Sequence, residues 1–203
     1  MIEFIDFIVD IKSGASTGPL TENYKEFHKI IVDSADKEIL LTVYSCLTRK
    51  MRIVKLTPST NWGNHDSYLG ALVRYEEYTS ASERALKVGK VAPNSPAWLA
   101  GFQEDKDYIL GTPQYFYQDL NSFASFIELT QEEQAMKAIE IFLYNSDENS
   151  VRSTLLTPRK DWGGKGLVGC EFGLGILNHL PYIETDEAIT SSQGSTSEGS
   201  KQQ

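Results

Sequence analysis

Thr157-Pro-Arg-Lys-Asp-Trp-Gly-Gly-Lys-Gly-Leu-Val-Gly169 has an earlier version in the same chain, Thr57-Pro-Ser-Thr-Asn-Trp-Gly-Asn-His-Asp-Ser-Tyr-Leu-Gly70. Pro58 and Pro158, Trp62 and Trp162, and Tyr44 and Tyr144 are each 100 positions apart. One spacing shared by three uncommon residue types marks an internal repeat. The period is too long for a solenoid unit, so each copy reads as a small domain. The boundaries that follow are residues 1–78, 84–182 and a tail at 185–203.

Working outward from the second copy, Ile139–Tyr144 and Val151–Leu156 are β-rich runs joined by a polar turn, a hairpin leading into the Thr-Pro segment. Ile39–Tyr44 and Met51–Leu56 do the same in the first copy. Leu120, Phe123, Ala124 and Ile127 predict a helix with an inward stripe, with Asp119 as its cap. Tyr24, Phe27, Ile30 and Ile31 predict its counterpart, with Asn23 and Glu26 as a capping box. Phe4–Ile11 and Asp107–Gly111 read as strands at matching positions, the first ending at Lys12-Ser13-Gly14 and followed by a loop at Gly18-Pro19. Leu69–Tyr75 and Leu167–Phe172 read as strands that follow the Trp-Gly segments.

Ahead of Asp107 the second copy carries Ala85–Val91, which alternates as a strand does. It also carries Pro93-Asn-Ser-Pro-Ala-Trp-Leu-Ala-Gly101, where Ser95 can cap, Pro96 suits the first helical position and Gly101 ends the turn. The first copy has only Met1–Ile5 ahead of Asp6. It is therefore expected to be truncated at its N-terminus, lacking a strand and a capped helix; either the natural chain starts upstream or another element fills the gap. Residues 185–203 are mostly Ser, Gly, Glu, Thr and Gln without an aromatic, which predicts a disordered tail.

The 203 residues are 40% apolar and 23% charged, enough for two cores of roughly 90 residues each. A net charge of -9 and the absence of any Lys/Arg cluster argue against nucleic acid and against unaided attachment to anionic lipid. Cys46 and Cys170 occupy unrelated positions in the two copies, which points to core thiols in a reducing compartment. No apolar run approaches the ~18 residues of a membrane span. Ile2 stands where N-myristoylation requires glycine, which excludes that anchor for the chain as given.

No catalytic constellation is signalled, so the expectation is a protein that is not an enzyme and takes no cofactor. Gly163, Gly164 and Gly166 precede a strand rather than a helix, which rules out a phosphate-binding loop. His28, His65 and His179 have no metal-ligand spacing, so no metal site is assigned. Trp62 and Trp162 read as structural plugs beside their Thr-Pro turns, whereas Trp98, on a one-turn helix, is expected to be partly exposed.

Phe4-Ile-Asp-Phe-Ile8, Pro93-Asn-Ser-Pro-Ala-Trp-Leu-Ala-Gly101, Asp161-Trp-Gly-Gly-Lys-Gly-Leu-Val-Gly-Cys170 and His179-Leu-Pro181 resemble circularly permuted PDZ modules. Arranged twice over Phe4–Tyr182, they are similar to the tandem domains of the Golgi reassembly stacking protein (GRASP) family. The chain departs from the family pattern in lacking the myristoylated glycine and first strand and helix, and in reading Trp62-Gly63-Asn64-His65 where a second glycine is usual.

The resemblance implies an α+β, mainly β fold: two permuted PDZ-like domains in tandem, each a small, partly open β-barrel with a groove helix, the second with an extra short helix. It implies a non-catalytic scaffold at the cytosolic face of Golgi membranes that binds golgin-like C-termini and tethers membranes by self-association. Membrane attachment would then pass through a partner or an N-terminal anchor absent here. The family's zinc site, shared with a golgin peptide, draws on the absent N-terminal segment and is not carried over. The competing expectations are a PDZ-like regulatory module for a protease or signalling partner, and a fragment in which only the second groove works.

A PDZ-type groove takes an extended peptide as an added strand, with a helix forming the opposite wall. The candidate contacts in the second copy are Leu167, Val168, Gly169, Cys170 and Phe172 on the loop and strand, facing Phe123 and Ile127 on the helix. In the first they are Leu69, Gly70, Ala71, Leu72 and Val73, facing Phe27 and Ile31. Taken singly, each of these apolar residues suits a plain core; the pairing of strand with helix is what makes a groove.

Overall fold

The computed structural model describes residues 1–14, 16–19, 24–62, 67–71, 73–113, 117, 119–133, 137–173 and 175–184. Two antiparallel sheets are built on one plan. The first has the order β2-β1-β3-β4, with β1 Asp6–Ser13, β2 Ser16–Pro19, β3 Ile39–Ser45 and β4 Lys50–Leu56. The second has the order β8-β7-β6-β5-β9, with β5 Leu86–Val91, β6 Asp107–Gly111, β7 Ile139–Asn145, β8 Ser150–Leu156 and β9 Cys170–Phe172. Both sheets are open rather than closed into barrels. The helices are α1 Tyr24–Asp33, the one-turn α2 Pro96–Leu99 and α3 Leu120–Glu133.

The repeat extends to register. β1 and β6 each carry a bulge at the matching place, between Ile8 and Asp10 and between Ile109 and Gly111. Ile39 pairs with Leu56 and Ile139 with Leu156. Each hairpin turn ends in a left-handed residue, Arg49 (φ 52°) or Asn149 (φ 49°). Ahead of each first common strand the chain makes the same turn: the Asp6 N–H donates to Ile2 O, and the Asp107 N–H to Gln103 O, at 2.9 and 3.2 Å.

An ion pair also repeats. Asp6 accepts from both Nη atoms of Arg52 (3.0 and 2.5 Å) across the intervening β3, and Asp107 accepts from both Nη atoms of Arg152 (2.9 and 2.5 Å) across β7. The Asp107 carboxylate is fully buried and also receives the Asn145 amide (2.8 Å) and the Gln103 N–H (2.8 Å). A buried carboxylate with four donors is satisfied, and Arg152 and Asn145 each donate to a second acceptor as well, Gly101 O and Gln103 Oε1.

Three apolar clusters hold the chain. Ile11, Ile31, Ile39, Leu41 and Val43 form the first module's core, with Phe27, Tyr68 and Leu69 against it. Leu86, Val88, Ala97, Ile109, Phe123, Ile127, Ile141 and Leu143 are among those that form the second. A third joins the modules: Phe4, Ile5, Cys46 and Leu47 pack with Tyr108, Leu110, Tyr144 and Leu180. The Phe4 and Phe142 rings lie 4.7 Å apart, and the Ile183 N–H donates to Leu47 O at 3.0 Å.

Several expectations need correction. Gly18-Pro19 lies in strand β2, not a loop, because the chain turns at Gly14 (φ 55°) and folds back on the free edge of β1 between Asp10 and Ser13. Residues 69–71 and 73–75 form no strand, and Leu72 lies outside the described residues. In the second module the corresponding strand is short, Cys170–Phe172, and exists by pairing with β5; the first module has no counterpart of β5 among its described residues. Ala124 is exposed, since the buried stripe of α3 runs through Phe123 and Ile127 with Leu120 and Phe126 beside it. Asn23 and the tail lie outside the described residues.

Candidate peptide-binding groove

The groove of the second module is built from its short helix outward. Ser95 caps α2, its Oγ accepting from the Trp98 N–H at 3.1 Å, and Pro96 occupies the first helical position where no N–H is needed. This turn then fastens the segment before β9. The Ala97 N–H donates to Val168 O and the Ala92 N–H to Gly169 O, both at 2.9 Å. The loop itself is folded over Trp162, whose Nε1 donates to Gly166 O at 2.9 Å.

That packing explains two glycines. A Cβ at Gly164 would lie 2.0 Å from the Trp162 ring. At Gly169, whose φ is +74°, a Cβ would lie 2.4 Å from the Ser95 side chain and 2.8 Å from Trp162. Glycine is required there by both backbone conformation and space. Trp162 is half-buried and acts as the form around which the loop is moulded, in keeping with its reading as a structural residue.

β9 follows at the end of the sheet. One edge pairs with β5 through Val88–Phe172 and Val91–Cys170; among the described residues no strand pairs with the other. α3 packs against this strand, the Phe123 and Phe172 rings meeting edge to face at 5.4 Å. α3 is fixed at its start by a reciprocal cap: the Ser122 N–H donates to Asp119 Oδ1 (2.7 Å) and the Asp119 N–H to Ser122 Oγ (3.2 Å). Its cap was legible from Asp119.

The structure thus brings Leu167, Val168, Cys170, Phe172, Phe123 and Ile127 into one cluster. Within it Val168, Phe123 and Ile127 are buried, forming the floor, whereas Leu167, Cys170 and Phe172 keep some exposure. Burial pushes the Cys170 thiol up to about 12. At the loop end, a cavity of about 390 Å³ opens between α3 and the glycine loop, lined by Glu128, Gln131, Glu132, Lys160, Gly164, Gly166 and Leu167. The four polar side chains of that lining were not predicted. The spacing of 128, 131 and 132 places three of them on one helix face, whereas Lys160 comes from the loop and carries no such signal.

The first module repeats the beginning of this arrangement only. The Ser59 N–H donates to Tyr68 O (2.9 Å) as the Arg159 N–H does to Leu167 O (3.0 Å), and Gly70 is left-handed (φ 64°) like Gly169. Leu69 and Phe27 both pack against the core cluster that includes Ile31. Ala71 and Val73 are exposed, and neither belongs to a strand beside α1.

Among the described residues, no group of three or more His, Cys, Asp and Glu side chains is placed to hold a metal, and no helix is long and apolar enough to cross a membrane. Cys46 and Cys170 are both free thiols.

The sequence matches the GRASP55/65 PDZ-like domain over residues 1–71 and again over 41–183. It is 35% identical to Golgi reassembly-stacking protein 1 of Mus musculus and 34% to that of Homo sapiens, over 178 residues. These alignments cover 88% of this chain and 38% of each relative, so the chain spans well under half the length of the relatives it matches. It is also 26% identical over 181 residues to an uncharacterized protein of Schizosaccharomyces pombe, covering 88% of this chain and 48% of that one. The repeated frame, the permuted order in which the groove strand comes last, and these matches agree: the chain belongs to the Golgi reassembly stacking protein family.

Proposed function

We propose that this chain is a non-catalytic scaffold whose second module binds an extended peptide between β9 and α3, from golgin-like C-terminal segments or from another copy of the protein. Self-association through such a groove would tether Golgi membranes from their cytosolic face. The observation that carries the reading is β9, a sheet-edge strand with one edge unpaired among the described residues and α3 packed beside it through Phe123 and Phe172, which is the geometry of strand addition. Backbone pairing along Cys170–Phe172 would supply affinity, and the flanking cavity would select a side chain.

The test is titration of isotopically labelled protein with golgin-like C-terminal peptides, followed by amide NMR. Perturbations centred on Leu167–Phe172 and on α3 are expected, together with protection of β9 amides from exchange. Perturbations confined to other surfaces, or none at millimolar peptide, would overturn the proposal. Sedimentation of the protein over a concentration series tests the self-association arm, for which a monomer throughout is the adverse result.

A further inference from the structure

The cavity at the loop end of the second groove has a charge of its own, and we infer that it selects a cationic side chain, lysine or arginine, from the bound peptide. The inference rests on the groove reading above. Glu128 and Glu132 stand one helical turn apart on α3, and both line the cavity, against the single cation Lys160. Among the described residues none of these three is engaged in an ion pair. The neighbouring cations Arg159 and Lys165 are not among the lining residues.

Gln131, on the same helix face, adds an Oε1 atom that is buried and accepts no hydrogen bond. An unmet buried acceptor favours a ligand that brings a donor. Two carboxylates and that acceptor suit an ammonium or guanidinium group, which has donors and no acceptor. A carboxylate placed there would face two like charges and only one partner. Leu167 and the glycines supply the apolar and open wall along which a long aliphatic stem can lie while its charged head reaches the acids.

The experiment uses the whole chain and a family of otherwise identical extended peptides in which Lys or Glu is scanned through successive positions, read by fluorescence anisotropy. At one position the Lys peptide is expected to bind roughly tenfold tighter than the Glu peptide, from two partly screened charge contacts. Raising the salt to ~0.5 M should shrink that ratio. The double variant Glu128→Gln/Glu132→Gln, made on exposed helix positions, should bring it towards one with the circular dichroism spectrum unchanged. Equal binding of Lys and Glu peptides at every position, or a preference that survives in the double variant, overturns the charge inference while leaving the groove. Failure of every peptide to bind removes the groove reading and this one with it.

Discussion

The two modules share a frame and differ at one edge, and the difference locates what makes a groove. Bulge, hairpin turn, Asp–Arg pair and left-handed glycine are present in both. Among the described residues only the second has a strand after the glycine, because there β5 offers its edge to Cys170–Phe172, Ala97 of α2 fastens Val168 and Ala92 just before it fastens Gly169. In the first, β2 covers Asp10–Ser13 of β1, whereas β5 covers Tyr108 and Ile109 of β6, the counterparts of Phe7 and Ile8. A groove strand is therefore a property of the sheet it joins, not of its own residues.

The largest expected effect probes the shared ion pair. Asp107→Ala would remove a buried acceptor from Arg152, Asn145 and the Gln103 N–H; Arg152 keeps Gly101 O and Asn145 keeps Gln103 Oε1, so the cost is about 3–4 kcal/mol. Asp6→Ala should cost about 1–2 kcal/mol, since both donors it deprives, the 45% exposed Arg52 side chain and the exposed Ile2 N–H, can turn to water. Urea unfolding of the two variants checks this; equal losses would mean that the second module's additional donor, the Asn145 amide, contributes nothing.

Next come the paired glycines. Gly169→Ala meets both a left-handed backbone and the Ser95 and Trp162 contacts, so about 3 kcal/mol is expected. At Gly70, which is exposed and left-handed (φ 64°), the backbone penalty is about 1 kcal/mol. Thermal unfolding distinguishes them, and a Gly70 loss as large as that at Gly169 would show that the first loop is packed as tightly as the second. Smaller again is Ser95→Ala, about 1 kcal/mol for a lost cap. Its diagnostic readout is faster exchange of the Ala92 and Ala97 amides that hold the groove loop; unchanged exchange would separate α2 from the loop.

Much of this was legible in the sequence, and what was not has a common cause. Repeat spacing, hairpins, the Ser95 and Asp119 caps and the stripe of Phe123 and Ile127 are local signals that the structure bears out, although the stripe does not include Ala124, which is exposed. Leu69–Tyr75 has the composition of a strand but lacks the edge that Leu167–Phe172 finds in β5, and composition does not report a missing neighbour. β2 was hidden for the opposite reason: Gly18-Pro19 looks like a turn, yet an open edge recruits it. The Asp6–Arg52 and Asp107–Arg152 pairs reach across an intervening strand, so their repeat spacing is visible but their contact follows only from register. Likewise, Glu128 and Lys160 share a cavity because a loop folds back on α3, which no periodicity encodes.

The smallest effect expected is a difference between the two thiols, which sit in unrelated parts of the frame. Burial pushes both up to about 12 from an ordinary value of 9.0, Cys46 within the joint between modules and Cys170 on β9. Since the folded state holds its proton where the unfolded chain has lost it, these groups contribute stability that is fully present below pH ~9 and declines as pH rises towards 12. At pH 8 both should therefore alkylate slowly with iodoacetamide. Cys46 is 1% exposed whereas Cys170 retains some exposure, so Cys170 should react first. A peptide added as a strand beside β9 should slow Cys170 severalfold and leave Cys46 unchanged. Equal slowing at both would instead report general stiffening of the two modules, and no slowing during demonstrated peptide binding would place the ligand away from β9.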